Sequence, residues 1–298
     1  MLTACGGEKK QTPAQEATPT PDAWCIAVLP TMDCLPLYVA AERGFFEQAG
    51  VPVFLRAYQA QMDIDTALQQ HRVVGAATDL ARVEHLGSEG LSLTCVTATA
   101  ADWQLVSKRT ARMSKLPQLD DKMLAMTRYS ATDLLADLVV DSAKLKDERV
   151  FRIQVNDIAV RLSMLQSDIM DAMFLPEPQA TTARNQKGRV MLDTRQLDIR
   201  LGTIAFITDS LKGKEDKLKA FLAAYDQAVD SLNELGIRNY NDLMKRCLQL
   251  TQQTIDSLPE NYQFRHSAKP REKDVERART WWNKRVESMK YVEKRYIQ

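Results

Sequence analysis

An α/β fold of two lobes is the class this sequence predicts, and three observations predict it. Short apolar runs of strand length alternate with segments of helical period, the pattern of βαβ units on a parallel sheet. The pattern breaks off in a polar stretch at residues 108–121 and then begins again. At 298 residues the chain is long enough for two ordinary lobes, each with its own buried sheet, and too short for a large multidomain enzyme.

The run 24–29 reads as a buried strand. Residues 37–48 read as the next helix, with Leu37, Ala40, Ala41 and Phe45 on one face and Gly50 placed to end it. Strands at 51–58, 73–77 and 91–98 alternate with helices at 62–70 and 80–88, which completes the first half-sheet. After the polar stretch come strands at 122–126, 150–155, 172–175 and 190–192, separated by helices at 131–140, 158–166 and 178–185. A further strand at 202–208 leads into a tail that is almost wholly helical, at 214–235, 241–250 and 272–296. Such a tail must pack on something already built. Trp281 and Trp282 would dock its last helix on the first lobe, membrane insertion being the other reading.

Composition excludes several classes of function. Lys and Arg total 40 against 39 for Asp and Glu, which leaves no net field to hold a nucleic acid. Hydrophobic residues at 45% and charged residues at 27% describe a packed globular chain. No apolar run reaches the about 20 residues that span a bilayer as a helix, so any membrane link is expected to be an anchor. The five cysteines are scattered without CxxC spacing and give neither a metal site nor a disulfide framework; Cys25 and Cys95 read as small buried hydrophobes. His71, His85 and His266 stand alone, outside any nucleophile or metal spacing, and no glycine-rich phosphate loop occurs. No catalytic residue, cofactor or metal is expected.

Two stretches carry a family resemblance. The run Pro30-Thr31-Met32-Asp33-Cys34-Leu35-Pro36-Leu37-Tyr38-Val39-Ala40, continued by Ala41-Glu42-Arg43-Gly44-Phe45-Phe46-Glu47, resembles the opening of the substrate-binding proteins of ABC transporters for nitrate, sulfonates, taurine and thiamine-pyrimidine precursors. The run Leu175-Pro176-Glu177-Pro178-Gln179-Ala180-Thr181, preceded by Asp171-Ala172, is similar to that family's Glu-Pro turn. In element order the resemblance covers residues 24–235. It implies the type II periplasmic-binding-protein fold: two α/β lobes, a hinge of two strand crossovers and a central ligand cleft. The crossovers are expected near 98–107 and 192–203. Lobe 1 would then comprise 24–101 plus 202–298, and lobe 2 would comprise 102–201.

Ahead of the folded part, Leu2-Thr3-Ala4-Cys5 followed by Gly6-Gly7 resembles a bacterial lipobox. It implies a signal peptide, a lipid on Cys5 and an extracytoplasmic, membrane-anchored protein. Residues 8–22 are polar and carry Pro13, Pro19 and Pro21, so 1–23 reads as lipobox and flexible tether, or else as an ordinary unstructured terminus. The implied function is that of a monomeric solute-binding lipoprotein, delivering a small polar molecule to an ABC permease. A sulfonate, a nitrate-like anion or a pyrimidine precursor would be the cargo. A lipid-anchored sensor is the alternative. An enzyme like the thiamine-pyrimidine synthases is a lesser one, because the cysteine-rich iron motif of those enzymes has no counterpart here.

Open α/β sheets bind ligands at the carboxyl ends of their strands, beside helix N-termini with free N–H groups. That rule selects Thr31, Asp33 and Tyr38 after the first strand, and Thr78 and Asp79 after the third, with Asp33 and Asp79 equally readable as caps. Thr99 and Trp103 stand at the first crossover, Trp103 as a stacking platform or a core residue. In the second lobe the rule selects Arg128, Tyr129, Ser130 and Thr132, whose hydroxyls and N–H groups suit a carboxylate, sulfonate or phosphate. Asn156 and Glu177 follow at the same edge, Glu177 facing the cleft or clasping the hinge. Three carboxylates and one arginine leave the ligand's charge open.

Overall fold

The computed structural model describes residues 20–296; Cys5 and most of the expected tether lie outside them. The strands are β1 (Trp24–Val28), β2 (Val53–Ala57), β3 (Gly75–Asp79), β4 (Leu93–Ala98), β5 (Trp103–Ser107), β6 (Lys122–Met126), β7 (Val150–Gln154), β8 (Ala172–Pro176), β9 (Arg189–Asp193) and β10 (Gly202–Ile207). The helices are α1 (Leu35–Glu42), α2 (Phe45–Gln48), α3 (Gln61–Gln69), α4 (Leu80–Ser88), α5 (Ala131–Ser142), α6 (Ile158–Gln166), α7 (Gln179–Asn185), α8 (Glu215–Leu235), α9 (Asn241–Leu248), α10 (Gln252–Ser257) and α11 (Glu272–Tyr296).

Two five-stranded sheets result, in the orders β2-β1-β3-β10-β4 and β7-β6-β8-β5-β9. In the first, β1 runs parallel to β2 and β3, and β10 lies antiparallel between β3 and β4. The second has the same plan: β6 runs parallel to β7 and β8, and β5 lies antiparallel between β8 and β9. The chain therefore passes between the sheets twice, at residues 99–102 and 194–201. Residues 103–107 read only as a connection in the sequence. They form a strand because Trp103 to Ser107 find their partners about 70 residues away, from Pro176 to Ala172, a pairing that local pattern does not encode.

Expected and observed helices differ where the backbone turns left-handed. The helix expected at 37–48 is divided into α1 and α2 at Gly44, whose φ of +69° glycine adopts without a Cβ penalty. The break lets Phe46 turn inward and stack on Phe221 at 5.2 Å. With Trp24 and Phe206, these rings fix α8 on the first sheet; Trp24 meets Phe206 edge-on at 4.9 Å. Likewise the helix expected at 241–250 stops at Leu248, before Gln249 at φ +57°, and α10 starts anew on a Thr251 cap that accepts from the Thr254 N–H at 3.2 Å.

The last helix also departs from the expectation that it would dock on the first lobe alone. Its Ala278 is fully buried within an apolar cluster that holds Leu80 and Ala81 of α4 together with Leu134, Leu135 and Val139 of α5. Trp282 packs against His85 of α4 and Tyr129, at 4.9 and 5.4 Å. Trp281 Nε1 donates to Asp137 of α5 at 2.6 Å, and Arg285 pairs with buried Asp133 at 2.5 Å. One helix thus joins a helix following the first sheet to a helix of the second.

The crossovers themselves are closely packed. A Cβ on Gly202, the first residue of β10, would overlap Thr99 Oγ1 and the Ala101 side chain. Gly202→Ala is expected to lower stability by about 1–3 kcal/mol, the usual cost of overpacking. Chemical denaturation checks this, and an unchanged midpoint would show that the crossovers can yield.

Candidate functional site

The loops after β1, β3, β6 and β8 meet where the carboxyl ends of the two sheets face each other. They enclose a cavity of about 50 Å³. Each enclosed water needs about 10–15 Å³, so the closed arrangement holds only a few water-sized bodies. Thr31, Asp33, Thr78 and Asp79 line it from the first sheet, Ser130 and Thr132 from the second, and Trp103 at the first crossover. The structure thus brings seven of the expected site residues around one space.

Asp79 ties the two halves. Its Oδ1 accepts from the Arg82 N–H at 3.0 Å, capping α4, and from the Ala131 N–H at 2.9 Å, across the cleft at the N-terminus of α5. Both readings of Asp79, cap and cleft residue, therefore hold in one carboxylate. Burial pushes its pKa up, opposed first by the Arg82 guanidinium and then by these N–H groups. Behind it, Arg82 is paired with Asp65 in the interior. Further contact between the halves comes from the backbone bridge of Ala60 with Asp157 and from the Met32 N–H, which donates to the Glu177 carbonyl at 2.9 Å.

The hydroxyls of the second half are largely spent on their own turn. Ser130 Oγ donates to the Thr127 carbonyl at 2.7 Å, and Thr132 Oγ1 accepts from the Thr127 N–H at 2.9 Å. Asp33 accepts from Thr99 Oγ1 at 3.0 Å. Burial raises the Asp33 pKa against hydrogen bonds from Thr31 and Thr99. Thr99 itself faces a neighbouring cavity, and acts on the cleft through Asp33.

Other expected residues point elsewhere. Tyr129 takes a left-handed φ of +58°, fixed by its N–H donating to Asp133 at 3.0 Å. That turn sends its ring to Trp282 and leaves Arg128 exposed beside α11, away from the cleft. Tyr38 is buried with its hydroxyl on the Leu29 carbonyl, 3.4 Å away. Asn156 accepts from the Gln154 side chain at 3.0 Å and does not line the cavity. Glu177 accepts from Thr181 Oγ1 at 2.7 Å, pairs with Arg184 at 2.9 Å and accepts from Gln104 Nε2 of β5 at 3.5 Å, so its carboxylate ties α7 to the strand after the first crossover instead of facing the cleft.

Three polar cleft residues escaped the sequence reading: Thr127, Gln61 and Arg161. Gln61 donates to Thr78 Oγ1 at 3.1 Å. Arg161 lines the cavity at only 4% exposure, bonds the Phe174 carbonyl at 2.9 Å through Nη1, and leaves a buried Nε without a partner among the described residues. Burial lowers its pKa to about 10, opposed by the Asp157 carboxylate and helped by Arg82, so it stays charged at neutral pH. The signal was its spacing: Ile158, Arg161 and Leu165 are the buried stripe of α6, and an arginine on an apolar stripe has a task other than solvation.

Asp79→Ala removes both the cap and the bridge and is expected to cost about 1–2 kcal/mol, whereas Asp79→Asn, a good cap, is near neutral. Solution scattering on the ligand-free Ala variant should show a larger radius of gyration. Equal radii and melting points in both variants would sink the assignment of Asp79 as the bridge.

Comparison with known proteins gives a consistent picture. A family model described as NMT1/THI5 like matches residues 31–234. No curated protein sequence matches the chain. Among solved structures, the periplasmic aliphatic sulphonate binding protein SsuA from Escherichia coli aligns at TM-score 0.74 and 16% identity, over 90% of this chain and 94% of its own. The ligand binding component of an ABC-type import system from Staphylococcus aureus, solved with zinc bound, aligns at 0.74 and 15% identity over 89% and 92%. The periplasmic nitrate-binding protein NrtA from Synechocystis PCC 6803 aligns at 0.68 and 14% over 85% and 75%. The fold is the type II periplasmic-binding-protein fold. With a family model spanning well over half of its length, the chain belongs to the NMT1/THI5-like family.

Proposed function

We propose that this protein is a solute-binding component of an ABC importer that captures a small anion between its lobes and hands it to a permease. The observation that carries the reading is Arg161, a buried guanidinium with unused hydrogen-bonding capacity in a cavity walled by both sheets. A buried guanidinium with no ion pair in contact is costly unless a partner arrives, and an oxyanion such as a sulfonate or nitrate offers it two oxygens at once. A cationic or neutral pyrimidine precursor would leave that charge unanswered. The SsuA and NrtA likenesses support the same chemistry.

In this reading residues 24–101 and 202–298 form one lobe and 102–201 the other, with α11 shared between them. The lobes move about the crossovers to admit the ligand and then close on it. No described helix is long and apolar enough to cross a membrane. A lipid on Cys5 would hold a monomer at an extracytoplasmic surface within reach of its permease. We assign no reaction to the site.

A thermal-shift and calorimetric screen of alkanesulfonates, nitrate and pyrimidine precursors tests this, because a ligand bound only by the folded state raises the melting point. A sulfonate or nitrate hit is expected, and Arg161→Gln should weaken it about 10- to 100-fold, the worth of a charged hydrogen bond. The same substitution should leave the ligand-free melting point equal or higher, since it removes a buried charge that has no contact ion pair among the described residues. Saturable binding of a neutral pyrimidine, indifferent to Arg161, would overturn the anion assignment. Turnover of the hit would overturn the carrier.

A further inference from the structure

A second cavity, of about 370 Å³, lies beside the crossovers on the far side of Ala101 from the cleft. Thr99 to Asp102 of the first crossover, Arg195 and Arg200 of the second, and a C-terminal loop with Tyr262 and Arg265 wall it. Its size falls in the range of small-molecule pockets, about 300–1,000 Å³.

Three guanidinium groups converge here, and only one is fully engaged. Arg195 holds Asp193 through Nη2 at 2.6 Å and Nε at 3.0 Å. Arg200 comes no closer than 3.7 Å to Asp198, a carboxylate already taken by Arg271 and Lys273 at 2.5 and 2.6 Å. Arg265 makes no ion pair among the described residues. Burial first, and then Arg200 beside it, push the Arg265 pKa below that of an ordinary arginine. The cavity's own carboxylate is Asp102, whose pKa burial raises to about 6 against the opposing charge of Arg195. Positive charge is thus in excess, and the amides of Asn261 and Gln263 and the Tyr262 ring complete the wall.

Two underused forks facing one space match a ligand with several anionic oxygens, which accepts from both at once. We propose that the cavity between the crossovers is a second binding site, distinct from the cleft, that takes a phosphate-type oxyanion through Arg200 and Arg265. A bound anion would touch both crossovers and the C-terminal loop together, so it would sit on the segments that must flex when the lobes move. The path to the cleft is short: Thr99 lines this cavity and donates to Asp33, which lines the other.

Inorganic phosphate is the probe. Calorimetric titration of the full chain at constant ionic strength, with chloride as the control anion, should give one saturable site. Arg265→Gln and Arg200→Gln should each weaken it at least about tenfold, while Arg265→Lys, which keeps the charge, should recover part of the loss. Arg265 is exposed, so its variants keep the fold, as the melting point will verify. Absence of saturable phosphate binding, or binding unaffected by both glutamine variants, overturns the proposal. If Arg161→Gln alone abolishes it, the phosphate belongs to the cleft and the proposal is equally overturned.

Discussion

Each sheet is finished by a strand the other sheet sends across. β5 follows directly on β4 of the first sheet yet pairs inside the second, and β10 follows β9 of the second yet pairs inside the first. Neither sheet can complete its hydrogen bonding unless both crossovers are in place, so the two cores form together and the crossovers lie at a fixed spacing. The loops at the carboxyl ends of β1, β3, β6 and β8 inherit their mutual geometry from that exchange. This is why residues scattered from Thr31 to Arg161 can wall one small space. The contact of Gly202 with Thr99 and Ala101 shows how little slack the exchange leaves.

Within that frame, charge decides what the cleft is ready to do. The N-terminus of α5 is a natural seat for an anion, and here Asp79 from the opposite half already occupies it. The bridge is internal: a carboxylate of the protein holds the halves together where a ligand's oxygens would otherwise help to do so. Arg161, by contrast, is held in place with Asp157 as a distant counter-charge and, among the described residues, with no ion pair in contact. On the proposed reading, a cleft with one anion seat filled and one cation waiting favours a small anion of single charge. The size of the closed cavity agrees with that.

Much of this was legible in the sequence, and the rest was hidden for reasons that can be named. Strand ends are set by local pattern, so Thr31, Asp33, Thr78, Asp79, Ser130 and Thr132 can be placed at the carboxyl ends of their strands from sequence alone. Arg128 and Tyr129 share that edge in sequence, but the left-handed turn at Tyr129 and the arrival of α11, about 150 residues later, draw them to another face. Glu177 was recognised as special and its carboxylate is indeed buried, yet its partners Thr181 and Arg184 lie on the helix that follows it. Arg161 was not singled out, although its spacing from Ile158 and Leu165 put it on the inner stripe of its helix. The tryptophans of the last helix were seen as docking residues, while the choice of surface depended on His85, Tyr129 and Asp137 being brought together first.

That last helix has a mechanical consequence. A clamshell opens by swinging its shells apart at the rim, but α11 is fastened on one side through Trp282 to His85 and on the other through Arg285 and Trp281 to Asp133 and Asp137. With a rod pinned to both shells, gaping would have to strip buried tryptophan and buried charge into water. The motion left at low cost is torsion, one shell rolling against the other about the rod like a key turning in its barrel.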